Sequence, residues 1–130
     1  MTKLLTVDAV IEMVAGLLMA VLPSFLWKIV LGTMLSTAVE FTLSRIAGIA
    51  VIALAVTWWL ARSDEQSHTL RGVVGGMVVF NAGVVIALGY AGIALGLSTI
   101  LLWPFILIHL AMAVWCIVCL QKKPEQIVRH

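Results

Sequence analysis

Charge is what this chain has least of. Asp, Glu, Lys and Arg make up 11% of its 130 residues, against 63% hydrophobic ones. A soluble domain carries about 25% charged residues. A core of this size cannot bury so much apolar side chain, so lipid has to be the solvent. The net charge of +2 is too small to hold a polyanion, which removes nucleic acid from the partners. Hydrophilic sequence is equally scarce, with Arg62–Arg71 the only strongly polar stretch. A soluble catalytic domain has nowhere to fold. Any function therefore belongs inside a helix bundle, on its rims or on a partner. Cysteine is nearly absent too. Cys116 and Cys119 lie three apart on one helix, where they cannot easily bridge. They read as small apolar residues facing lipid or a neighbour, because a CxxC redox or metal motif opens a helix or sits in a turn. One histidine inside a span, His109, cannot hold a haem from both sides. No metal site is expected, and no cofactor is assigned.

What is present is four apolar stretches at Leu4–Leu22, Val39–Ala61, Gly72–Ala91 and Thr99–Leu120. About 20 helical residues cross a hydrocarbon core of about 30 Å. The expected fold is all-α, a single domain over residues 1–130 forming an antiparallel four-helix membrane bundle. A cleavable signal peptide is the alternative for the N-terminus. It fits poorly, since Asp8 and Glu12 would interrupt the apolar region and Leu22-Pro23-Ser24 is no small-residue cleavage site. Pro23 ends the first span. Ser24–Gly32, with Trp27 and Lys28, suits the outer interface, the indole at headgroup depth and the ammonium snorkelling. Trp58 and Trp59 fit an inner aromatic belt. The short connection near Gly92–Ser98 demands a tight hairpin, and the tail Gln121–His130 is expected to fray. Lys3, Arg62, Arg71, Lys122, Lys123 and Arg129 fall on one side of four spans, and Lys28 and Arg45 on the other. Lys and Arg gather on the cytoplasmic side, so both termini are expected inside a bacterial inner membrane. No internal repeat argues for an inverted pair, which counts against a transporter.

A polar side chain in lipid is informative because nothing there bonds to it. Asp8 and Glu12 share one face of the first span. Asp8 is expected near the inner boundary, within reach of water, and Glu12 about 12 Å beyond Leu4. Asn81 on the third span and His109 on the fourth are each about 15 Å deep, near the midplane. Arg45 lies about 24 Å from the inner end of the second span, five residues after Glu40 and ready to close the outer mouth. Glu12, Arg45, Asn81 and His109 are therefore the candidate ligand-binding residues lining the interior. Single polar groups also act as glue between membrane helices. On that reading Asn81 and His109 bond each other or a backbone carbonyl, Glu12 caps a neighbour, and Pro104 frees the carbonyl of Ile100. Gly72, Gly76 and Gly83 form a stripe nearly opposite Asn81 at about 100° per residue. That stripe is a candidate for a homo-oligomer or partner contact, or for packing within the bundle.

The first span ending in Pro23, Arg45-Ile-Ala-Gly48 opening the second and Trp59-Leu-Ala-Arg62 closing it form one pattern, completed by Asn81 and His109. In these residues the chain resembles the small four-span bacterial inner-membrane proteins grouped as DoxX-like. The resemblance implies a four-helix bundle with accessory or membrane-complex roles, and it carries over no catalytic residue. The reading that follows is a non-enzymatic membrane protein, accessory or binding a small lipophilic ligand. Two alternatives stand beside it. One is an intramembrane enzyme using Glu12 and His109 for proton transfer, and the other a small transporter or channel subunit.

Overall fold

Several helix boundaries follow from a residue that the backbone needs there. In the computed structural model, which describes residues 1–64 and 67–122, five helices follow in order: α1 (Thr2–Val21), α2 (Pro23–Leu31), α3 (Ala38–Ala61), α4 (His68–Ile93) and α5 (Leu102–Gln121). Leu22 ends α1 and starts α2, whose first residue is Pro23. There the missing N–H costs nothing and the fixed φ suits a helix. Gly32, at φ +72°, closes α2 in the left-handed conformation that glycine adopts freely. A capping box starts α3: Glu40 N–H donates to Thr37 Oγ1 at 3.2 Å, and Thr37 N–H donates to Glu40 Oε2 at 2.9 Å. Ser67 accepts from Leu70 N–H and starts α4 four residues before the expected span. Because α5 begins at Leu102, Pro104 lies in its first turn. No intrahelical bond is lost there, so Pro104 does not release a carbonyl inside the helix as expected.

Four of these helices, with 20, 24, 26 and 20 residues, are long and apolar enough to cross a membrane. The protein is all-α, with no strand among the described residues. α1 packs mainly on α3, and α4 mainly on α5, while the two pairs meet more sparsely. The first pair closes at two glycines. A Cβ on Gly48 would lie 2.7 Å from the Gly16 carbonyl oxygen, and one on Gly16 2.9 Å from the Gly48 carbonyl oxygen. Only glycine allows backbones this close. Ser44 Oγ then donates to the Met19 carbonyl at 3.3 Å and accepts from Trp27 Nε1–H at 2.8 Å, tying α1, α2 and α3 together.

The nine-residue segment expected to lie at the interface is thus a helix docked on the bundle. Leu26 and Val30 are buried with Leu102, and Lys28 stays exposed. Thr99 Oγ1 adds a bond to the Val30 carbonyl at 3.0 Å. Trp58 departs from the expected aromatic belt. It is buried edge-on to Phe80, ring centres 5.6 Å apart, whereas Trp59 is exposed under the Arg62 guanidinium. At the end of the bundle holding the N-terminus, Leu4, Leu5, Trp58, Leu70, Val74 and Met77 form a packed apolar core. Cys116 and Cys119 belong to it as free, buried thiols. Arg71 reaches across this end to the Leu120 carbonyl at 2.6 Å. The expectations for Lys123, Pro124, Arg129 and most of the tail lie outside the described residues.

Candidate functional site

The two helix pairs are joined by polar side chains in the middle of the bundle. Asn81 on α4 donates Nδ2–H to Asp8 Oδ2 on α1 at 3.1 Å, and to its own Met77 carbonyl at 3.0 Å. One turn further along α1, Glu12 Oε1 lies 3.2 Å from His109 Nε2 on α5. The other ring nitrogen, Nδ1, is 2.9 Å from the Phe105 carbonyl. Asp8 and Asn81 are 0% exposed, Glu12 2% and His109 5%. At that burial each unpaired polar atom carries a full desolvation cost.

Hydrogen accounting fixes more. A carbonyl only accepts, so Nδ1 of His109 carries a hydrogen, an assignment made from the bonding partner. Nε2 and Glu12 then face each other with one proton to share, on the imidazole or on the carboxyl. The contact between them is close but off the hydrogen-bonding direction, and it leaves Glu12 Oε1 without a hydrogen bond. Asp8 Oδ1 and Asn81 Oδ1 are likewise buried without a partner. The cluster holds two carboxyls against one imidazole. No lysine or arginine is buried among the described residues.

Beside Glu12 and His109 lies a cavity of about 270 Å³. From Glu12 it runs along α1 past Ala15 to Met19, and from His109 along α5 to Phe105. At its far end it meets Leu26, Trp27 and Val30 of α2. Phe80, Trp27 and Phe105 supply aromatic wall, and Glu12 and His109 are its ionisable groups. The cavity is therefore an apolar chamber with one polar end. Asp8 and Asn81 sit behind that end, toward the packed core.

Of the expected site residues, the structure brings Glu12, Asn81 and His109 together. Arg45 does not join them. It is exposed on α3, because its neighbour Ser44 takes the inward position, and Glu40 is held by the capping box. Asp8 was expected at the wet boundary and is instead fully buried. α1 starts at Thr2, and Leu4 and Leu5 bury below Asp8, which closes that end to water. The i, i+4 spacing of Asp8 and Glu12 carried the signal for this placement. Gly72, Gly76 and Gly83 are exposed, and nothing lies within 4 Å of a Cβ added at any of them.

Comparison with known proteins gives one match. A family model described as a domain of unknown function, DUF8292, covers residues 6–126. No curated protein and no solved structure matches the chain.

Proposed function

We propose a ligand-binding role for this chain, which belongs to the DUF8292 family. On this reading it is a multi-pass protein of a bacterial cytoplasmic membrane, both termini inside, that holds a small lipophilic molecule between its helix pairs. The supporting observation is the cavity of about 270 Å³ with Glu12 and His109 at one end. A cavity of about 150 Å³ takes a benzene ring, so this one has room for one substituted ring. Apolar walls with few convergent polar groups are the usual form of such sites. Glue alone would need the polar bonds but no chamber beside them. The proton shared by Glu12 and His109 keeps proton transfer to the ligand as a second reading of the same pair. The exposed Gly72/Gly76/Gly83 stripe supports a further element of the proposal, association with a second copy or a membrane partner.

The test is what leaves the membrane with the protein. Wild type extracted in mild detergent should carry a lipophile detectable by native mass spectrometry. Val84→Phe, which fills the cavity wall, should lose it at unchanged helix content. Wild type that carries no lipophile and takes none up from membrane extract would sink the proposal.

A further inference from the structure

Charge balance within the cluster narrows the ligand further, on the premise that the cavity is a binding site. Asp8 and Glu12 are one turn apart on α1, and among the described residues His109 is the one cationic partner in reach of either. With both carboxyls ionised and the imidazole protonated, the cluster still carries one negative charge too many. An uncompensated charge at such burial is costly. Neutrality requires one more positive charge, either a proton or a cation. Among the described residues, the ionisable groups lining the cavity are Glu12 and His109, and Glu12 Oε1 is buried without a hydrogen bond. The remaining polar partners point elsewhere: Asn81 Nδ2 to Asp8 and Met77, His109 Nδ1 to Phe105, and Trp27 Nε1 to Ser44. Trp27, Phe80 and Phe105 thus offer the cavity their rings rather than hydrogen bonds. A carboxyl among aromatic rings in an apolar cavity is the environment that attracts an organic ammonium.

We infer that the cavity binds a small lipophilic organic cation beside Glu12, in exchange for the proton that the cluster holds when empty. The charges balance: one cation enters, one proton leaves, and the cluster stays neutral. No bond is made or broken beyond that proton's. The groups facing Glu12 set the pH dependence: Asp8 on its own helix, His109 from α5 and, behind them, Asn81 from α4. α2 and α3 contribute Leu26, Trp27, Val30 and Val51, none of which titrates in this role. Acid pH protonates the cluster and closes it to the cation, so affinity falls as pH is lowered.

The experiment compares benzyltrimethylammonium with its neutral isostere neopentylbenzene, on wild-type protein in bilayer nanodiscs. Thermal unfolding is followed through a titration of each probe, and proton release is read with an indicator dye in weak buffer. The cation should bind about tenfold more tightly than the isostere and release about one proton per molecule bound. The isostere should release none. In Glu12→Gln the preference for the cation should collapse, and in Phe105→Leu it should shrink. Should Glu12→Gln fail to fold, the wild-type comparison and its proton count decide alone. Equal or tighter binding of the isostere, or cation binding without proton release, overturns the exchange and leaves the binding reading in place. Binding of neither probe also overturns it, and the binding reading then rests on the lipophile that leaves the membrane with the protein.

Discussion

Asp8 spends its Oδ2 on Asn81, and Glu12 faces His109, so the site's four polar residues form two pairs with different duties. The Asp8–Asn81 pair lies behind the cavity and joins α1 to α4. Asn81→Leu removes the donor and strands a buried carboxyl. The loss in soluble proteins is about 1–3 kcal/mol, and membrane hydrogen bonds average about 0.6 kcal/mol, so a loss of about 1 kcal/mol is expected. Adding Asp8→Leu should recover most of it, since both polar partners are then gone. Unfolding of both variants in mixed detergent micelles checks this, and a double variant weaker than the single would contradict the pairing. The Glu12–His109 pair lines the cavity and has the other duty. His109→Leu should leave the bundle folded and abolish ligand retention. If retention survives, His109 is only a staple. Helical rise converts sequence distance into position along a helix, and that placed Glu12, Asn81 and His109 at nearby levels in the sequence reading. The backbone carbonyls that Asn81 and His109 bond were among the expected partners. The cross-helix partners Asp8 and Glu12 were not, because rise says nothing about which helix stands opposite.

At the scale of elements, two sets of glycines have opposite surroundings. Gly16 and Gly48 are where α1 and α3 touch, whereas Gly72, Gly76 and Gly83 look out into open space. Gly48→Leu would drive a side chain into the backbone of Gly16 and Ala20. Backbone cannot yield as a flexible side chain does, so α1 and α3 should separate and folded protein should be lost. Gly76→Leu should leave the monomer folded, and any loss of cross-linked dimer in membranes would then report a partner on that face. An unfolded Gly76→Leu monomer would show that the stripe packs inside the bundle. Apolar length and Pro23 marked the spans well. Their ends moved where side chains decided: Ser67 starts α4 early, and Leu102 starts α5 late enough to make Pro104 a first-turn residue. The partner of Trp27 was not legible, because an indole N–H suits a headgroup layer and a serine hydroxyl equally well, and only the fold of α2 onto Ser44 supplies the hydroxyl.

The whole molecule has two unlike halves. The half holding the start of α1 and the end of α5 is packed apolar side chain, from Leu4 and Leu5 to Cys116 and Cys119. The other half holds the cavity and is roofed by α2. Composition announced the bundle but not this asymmetry, because both halves are built from the same apolar residue types and differ only in how they fit. Combined with the bias of Lys and Arg, the asymmetry gives a direction. On the proposed orientation, Lys3, Arg62, Arg71 and Lys122 place the packed half on the cytoplasmic side, against exposed Lys28 and Arg45 on the other. Single cysteines test it against a quiet background, since the native thiols are buried. Ser98→Cys, at an exposed position in the α4–α5 connection, should react with a membrane-impermeant maleimide on intact spheroplasts. Ser63→Cys, exposed just after α3, should react only once the membrane is opened. The opposite pattern would invert the protein, and labelling of both on intact spheroplasts would break the four-span arrangement. With the expected pattern, the apolar core stands between the polar cluster and the cytoplasm. A ligand and the proton it displaces must then pass on the α2 side, from the outer leaflet or the space beyond it.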